Sequence, residues 1–324
     1  MPDPAVHREA LTSRVIALTG ATGFIGGVLA QRLEAEGWQV RALVRLSSVK
    51  PRLAGMVTQW VIGDLEDMDS LRRLVCGAEA IVHCAGAVRG ASQDYFNRVN
   101  NAGVARLAQA ATEHYPPPRF LMISSLAARE PDISPYAASK RQGEAALAAT
   151  AKETDWTVFR PPAVYGPGDR ELLPLLRWIG RGIALVPGAG HARRFSLLYV
   201  EDLAGAVIKW LESDGCGGDI FELHDDRSGG YTWGDVIKTI ALLRARPVLR
   251  VRVPVTVAAT LTRLNLMAAK TMGYAPMLTP GKLRELMHPD WVCDNTPFSK
   301  ATGWKPQIPL EEGLLRTLGW HDES

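Results

Sequence analysis

The sequence predicts an α/β fold: a doubly wound parallel sheet with a smaller, mostly helical C-terminal lobe. Two patterns carry that expectation. Through the first half, short β-branched runs alternate with stretches whose apolar residues recur at spacings of three and four, the signature of buried strands joined by helices. The first such run also passes straight into a glycine triplet that opens a helical pattern, as the first βα turn of such a sheet requires.

Taken in order, the strand signals are Arg14–Leu18, Gln39–Val44, Ala80–His83, Phe120–Ile123 and Thr157–Phe159, with helical stretches at Gly26–Glu36 and Gly103–Thr112. A further strand at Asp219–Leu223 follows a helical segment at Val200–Glu212. From Pro161 the texture changes: Pro161, Pro162, Gly166, Pro167, Gly168, Pro187, Gly188 and Gly190 punctuate a loop-rich region, and a mostly helical tail begins at Tyr231. The expected division places residues 10–168, with a return at 196–230, in the dinucleotide-binding part. Residues 169–195 and 231–324 form a lobe over the sheet's carboxyl edge, where ligands bind in open α/β sheets.

Composition narrows the function classes. The 324 residues carry a net charge of +3 without a run of lysines or arginines that would track a phosphate backbone, so no nucleic-acid partner is expected. Cys76, Cys84, Cys216 and Cys293 show neither CxxC spacing nor a histidine pattern. They predict reduced thiols, no disulfide frame and no metal. The polar opening dozen residues lack an apolar signal core. The greasiest stretch, Val251 to Met267, is interrupted by Arg252, Pro254 and Arg263 and falls short of the ~20 apolar residues of a membrane span. A cytoplasmic protein is the expectation.

The chemistry begins at Thr19-Gly-Ala-Thr-Gly-Phe-Ile-Gly26. Gly20, Gly23 and Gly26 permit a tight turn, close approach of backbone to a pyrophosphate, and packing of helix on strand, while the helix amino terminus offers unpaired N–H groups to an anion. This predicts a Rossmann-type cradle. The second strand ends in Arg45, followed by Ser47 and Ser48, where an acidic residue would select a free ribose hydroxyl. An arginine there suits a 2′-phosphate, so NADP(H) is preferred over NAD(H).

The fourth strand signal, Phe120–Ile123, runs into Ser124 and Ser125, and Tyr136-Ala-Ala-Ser-Lys140 follows eleven residues past Ser125. A residue pair four apart lies on one helix face. A phenol of ordinary pKa ~10 is a poor base, but a nearby ammonium and an oxidised nicotinamide both favour its ionised form. Tyr136 is then the acid/base on a substrate oxygen, Lys140 its tuner, and Ser125 the hydroxyl that holds that oxygen. Ser124 reads as a structural hydroxyl.

With these two motifs in hand, the sequence resembles the extended short-chain dehydrogenase/reductases, the NAD-dependent epimerase/dehydratase type. Gly63-Asp-Leu65, His83-Cys-Ala-Gly86, Val99-Asn-Asn-Ala-Gly103, the Arg160–Gly168 string and Tyr199–Ala204 extend the likeness over essentially the whole chain. The resemblance implies that Thr22, Phe24 and Ile25 hold the dinucleotide with the glycines, that Asp64 and Leu65 meet the adenine, and that Ala85 and Gly86 lie along the cofactor. It further implies that Asn100 is a structural and relay residue of the catalytic set, that Lys140 bonds the nicotinamide ribose, and that Val164 fixes the carboxamide. As residues alone, Asp64 fits a turn equally well and Asn100 a helix-start cap. The helices near Gly103–Thr112 and Tyr136–Thr150 pair subunits in many relatives, so a homodimer is implied.

On the substrate side, Phe195 occupies the place where relatives acting on nucleotide sugars carry an arginine, although Arg193 and Arg194 are adjacent. The favoured reading is an oxidoreductase acting on an alcohol or ketone. A nucleotide-sugar epimerase or dehydratase working without net redox change is the alternative, with Leu126 beside the serine counting against the dehydratase. A non-catalytic dinucleotide-binding scaffold is the third. Apolar helices near Val253–Leu266 and aromatic Tyr231, Trp233, Tyr274 and Trp291 are expected mainly as the lobe's own core, and Asp169-Arg-Glu171 as solvent-facing.

Overall fold

Every strand of the main sheet is parallel, and its order reverses once. The computed structural model describes residues 14–48, 59–187, 193–214 and 216–320; the opening dozen residues and the glycine-rich stretch at 188–190 lie outside these. Strands β1 (Val15–Thr19), β2 (Gln39–Val44), β3 (Gln59–Ile62), β4 (Ala80–His83), β5 (Arg119–Ile123) and β6 (Trp156–Arg160) join with Asp219–Glu222. They form a seven-stranded sheet running Asp219–Glu222, β6, β5, β4, β1, β2, β3. Thr19 is in register with Leu43 on one side and His83 on the other, so the crevice at the switch point opens beyond the ends of β1 and β4.

Helices cover both faces, and the two-residue period of the strands sorts side chains between them. Ile16, Leu18 and Val82 join Leu29 and Leu33 of α1 (Phe24–Ala35) in one apolar cluster. Ala17 and Ile81 point the other way, to Leu71 and Leu74 of α2 (Met68–Val75). Next come α3 (Gln93–Asn97), a π-helical turn at Arg98–Ala102, α4 (Gly103–Thr112) and α5 (Pro135–Thr150). The second half supplies α6 (Leu173–Gly180), α7 (Val200–Glu212), α8 (Trp233–Leu243), α9 (Val255–Met272) and α10 (Pro280–Met287). Leu203, Val207 and Trp210 of α7 complete the first cluster, and Trp210 donates its indole N–H to Thr157 at 2.9 Å. A third cluster gathers Tyr165, Leu176, Tyr199, Tyr231, Ile237 and Leu314.

Several local expectations are corrected. The loop-rich region holds a short strand, Ala163–Tyr165, paired in parallel with Leu197–Tyr199, so Val164 sits in a strand opposite Leu198. Asp169 is not solvent-facing: it is buried, and its carboxylate accepts from Glu171, Leu172 and Leu173 N–H groups at 2.8, 2.8 and 3.0 Å, capping the start of α6. Tyr231 is core, while Tyr274 is exposed. The apolar tail helix begins after Pro254, ends at left-handed Gly273 (φ 72°), and buries only Thr262 and Ala269 instead of forming the lobe's core.

Candidate active site

The cradle at the switch point is built by close backbone approach. Gly20 has φ +79°, and a Cβ there would lie 2.7 Å from the Ala85 nitrogen and 2.8 Å from the Cys84 carbonyl carbon. A Cβ on Gly26 would lie 2.1 Å from the Gly20 oxygen. Gly23 caps α1 without a side-chain bond, and the first turn carries no acidic residue, so nothing on the helix itself competes with an anion. Thr22 is exposed on the turn, Phe24 faces the loop of Gly166 and Gly168, and Ile25 packs into the core. This arrangement fits a dinucleotide pyrophosphate.

Beneath the cradle, the Thr19 hydroxyl accepts from the Ala85 N–H at 3.1 Å and pairs with His83 Nδ1 at 2.9 Å. Burial holds His83 down to about 3, helped by the charge of Lys140, so the ring is neutral. Arg45 is exposed immediately beyond β2, beside exposed Ser47. Asp64 is exposed and accepts from the Glu66 N–H at 2.8 Å, a turn bond made with one of its two oxygens. Leu65 presses on Gly103, where a Cβ would approach it to 2.9 Å.

Asn100 lies in the π-helical turn that interrupts α3 and α4. It is buried, accepts from the Ala87 N–H at 2.8 Å, and donates to the Ala87 carbonyl at 3.0 Å and to Ser139 at 2.9 Å. It thereby clamps the strand exit that carries Ala85 and Gly86. The widened turn turns the Asn100 carbonyl toward α5, where a Cβ on Gly143 would stand 2.1 Å from it.

Tyr136 lies in the first turn of α5, which Ser134 caps by accepting from the Ala137 N–H at 3.0 Å. Its ring meets Phe96 edge-on at 6.1 Å. Burial raises the phenol's pKa, a hydrogen bond with Ser125 and the charge of Lys282 lower it, and Glu285 and Glu171 raise it again. With the balance upward, the phenol holds its proton at neutral pH. Ser125 itself accepts from the Ala127 N–H at 3.2 Å.

Lys140 is placed differently from the sequence expectation. Its ammonium donates to the Ile123 carbonyl at 3.1 Å, and a Cβ on Gly86 would lie 3.2 Å from it. Its pKa is lowered by burial and raised by Cys84 and Glu144. The foremost charge acting on the phenol belongs instead to Lys282 of α10. A helical spacing of four brings side-chain roots together, but the β5 carbonyl draws this ammonium to the crevice floor. Ser124 donates to Glu144 at 2.6 Å, and Glu144 also holds Arg160 at 2.9 Å, all three buried.

The groups missed in the sequence come from the far end of the chain. Lys282 lies 5.9 Å from the Tyr136 ring centre and 2.9 Å from Glu285, which also bonds Ser134. Glu171 pairs with Arg89 at 2.7 Å. Lys282 and Glu285, with Val88, Phe96, Leu266, Pro276 and Met277, stand around a cavity of about 190 Å³ whose wall includes Tyr136. Spacing along the chain carries no sign of this, since α10 follows Tyr136 by more than a hundred residues.

A glycine cradle at the first βα turn, with a phenol, a serine hydroxyl and a buried ammonium grouped past its edge, defines a nicotinamide-dependent enzyme of the extended short-chain dehydrogenase/reductase type. The chain belongs to the NAD dependent epimerase/dehydratase family, which it matches over residues 16–223. It is 37% identical over 308 residues to a ceramide reductase from Caulobacter vibrioides, covering 95% of this chain and 94% of the relative. It is 26% identical over 327 residues to a 2-alkyl-3-oxoalkanoate reductase from Stenotrophomonas maltophilia, covering 93% and 97%. Its fold is that of UDP-glucose 4-epimerase from Thermotoga maritima, solved with UDP-glucose, at TM-score 0.72 and 21% identity over 94% of this chain and 98% of the other.

Proposed function

We propose that the protein is a reductase that uses NADP(H) in preference to NAD(H) and acts on the carbonyl of an apolar, long-chain substrate. In this reading residues 10–168 and 196–230 hold the dinucleotide, and 169–195 with 231–324 cover the substrate. The observation that carries it is the cavity beside Tyr136, walled by Val88, Phe96, Leu266, Pro276 and Met277. The cations at its edge are engaged: Lys282 by Glu285, and Arg284 by the Ile133 carbonyl at 2.7 Å. Arg193 and Arg194, the candidates for a substrate diphosphate, donate to the Met287 and Gly229 carbonyls at 3.1 and 2.9 Å. The likeness to a ceramide reductase supports a lipid carbonyl, and the substrate class proposed is a long-chain 2-amido ketone.

When bound, the reduced nicotinamide supplies hydride to the carbonyl carbon. Tyr136, protonated at neutral pH, gives its proton to the carbonyl oxygen, and Ser125 hydrogen-bonds that oxygen as charge develops on it. Lys140, on the crevice floor beside Gly86, holds the nicotinamide ribose, and Val164 borders the carboxamide. Asn100 keeps the Ala85–Ala87 wall in place. Arg45 takes the 2′-phosphate, with Asp64 and Leu65 beside the adenine.

The test is NADPH consumption followed at 340 nm with the long-chain amido ketone in detergent micelles. One alcohol formed per NADPH consumed is expected, with no turnover of UDP-glucose. Conversion of UDP-glucose to its 4-epimer without net NADPH loss, and no reduction of the ketone, would assign the chain to the epimerases instead.

A further inference from the structure

Charge is divided unevenly along this chain. Between Val236 and Arg284 stand nine lysines and arginines and not one aspartate or glutamate, although the whole sequence carries 37 cationic against 34 acidic residues. The same segment carries many of the exposed large apolar side chains of the described residues. Along α9, Val257, Leu261, Leu264 and Met272 recur at helical spacing on one face, and that face points outward: Leu261 is 54% exposed, Leu264 57% and the neighbouring Met267 65%. The residues turned inward are small or reach the cavity, namely Thr262, Ala269 and Leu266. An ordinary surface helix has the reverse arrangement, with its large apolar residues inside.

The strand that leads into α9 repeats the pattern. Leu249–Val253 pairs with Ile183–Pro187, and the register sets Leu249 beside Ile183 and Val251 beside Leu185 on one face of this two-stranded ribbon. All four are exposed, Leu249 at 65% and Leu185 at 54%. Arg250 and Arg252 alternate with them and are exposed as well, as are Arg263 and Lys270 on α9.

We propose that α9 and the ribbon before it form a docking surface for an anionic lipid bilayer, with α9 lying in the plane of the headgroups. Exposed leucines and methionine supply apolar surface for the acyl boundary, and the arginines and lysines of a segment that itself holds no acidic residue meet lipid phosphates. A second copy of the chain is a poor occupant, because an isologous contact would set this cationic surface against itself. The helix also ties the bilayer to the site: its outer face meets lipid while Leu266, on its other side, lines the cavity beside Tyr136. Docking stands on exposure and charge alone and does not depend on what the cavity reduces.

The test is flotation of the full-length protein with substrate-free vesicles, either phosphatidylcholine alone or phosphatidylcholine with phosphatidylglycerol. Binding to the anionic vesicles should exceed that to the neutral ones at least about tenfold and weaken as salt is raised. Leu261→Asp with Leu264→Asp should abolish flotation while thermal unfolding and NADPH binding stay unchanged. Arg250→Ala with Arg252→Ala should weaken flotation and flatten its salt dependence. Equal binding to both vesicle types, or flotation unaltered in the leucine variant, would overturn the proposal. So would light scattering showing that the wild type is a dimer, the leucine variant a monomer, and neither bound to vesicles. Since no substrate is present, loss of reductase activity and loss of docking are read separately.

Discussion

Lys282, carried by α10, stands 5.9 Å from the centre of the Tyr136 ring and is held there by Glu285 at 2.9 Å. The two side chains act on the phenol with opposite sign, the ammonium lowering its pKa and the carboxylate raising it. Replacing Lys282 with Met should therefore move the alkaline limb of the pH–rate profile upward. Glu285→Gln, which keeps a hydrogen-bonding group near Ser134, should move it downward. The measurement is kcat against pH in both reaction directions. Shifts of the same sign in the two variants would remove Lys282 and Glu285 from the control of Tyr136.

Gly26 leaves no room for a side chain, since a Cβ would stand 2.1 Å from the Gly20 oxygen and 2.6 Å from its carbonyl carbon. Neither atom is the end of a flexible side chain, so the turn itself must open. Gly26→Ala should cost about 1–3 kcal/mol of stability and weaken NADPH binding at least about tenfold. Urea unfolding and a fluorescence titration measure the two. Unchanged affinity would mean that the dinucleotide does not rest on this turn.

Arg45 should discriminate between the dinucleotides. Removing a charge-assisted hydrogen bond to a phosphate costs about 1.5–3 kcal/mol, so Arg45→Ala should raise the Kd of NADPH roughly tenfold or more and leave that of NADH within about twofold. Equal losses for both would move the 2′-phosphate contact elsewhere.

His83 predicts a specific dependence of stability on pH. Its folded pKa is about 3, whereas the unfolded imidazole takes up a proton near its ordinary value of 6.5. Below that ordinary value the unfolded chain binds a proton that the folded chain refuses. Stability is therefore fully present above about 6.5 and falls by about 1.4 kcal/mol per pH unit down to about 3. Substituting His83 with Asn should flatten this slope in denaturant unfolding measured across the window, whatever it does to the total.

The buried group of Ser124, Glu144 and Arg160 ties β5, α5 and β6 beneath the site. Glu144→Ala leaves the guanidinium buried without its partner and should destabilise the fold by about 3–5 kcal/mol. Ser124→Ala removes one hydrogen bond to a carboxylate and should cost about 1.5–3 kcal/mol. Comparable small losses from both would mean that water replaces the carboxylate.

Much of this was legible from neighbouring residues. The cradle, the Ser125 strand end and the Tyr136 helix are local patterns, and each strand run fell within a residue or so of its observed bounds because buried parallel strands are continuous apolar runs. What was not legible is tertiary. Lys282 and Glu285 reach Tyr136 only because the chain returns there, and the direction in which Lys140 turns depends on the Ile123 carbonyl. Asp169 lay in a polar string that resembles surface, yet its oxygens are needed by three N–H groups. For α9, the run of apolar residues pointed to a core helix, whereas its large apolar side chains face outward. The missing clue was in the sequence: a net count over the whole chain hid a long segment without acidic residues.

In the proposed reaction Tyr136 delivers the proton in a net reduction, and a single-turnover reaction of NADPH with the long-chain amido ketone isolates that step. With Tyr136→Phe, hydride transfer should fall by at least about a hundredfold while the Kd of NADPH stays within about twofold of wild type. Hydride transfer at the wild-type rate in that variant would contradict the account.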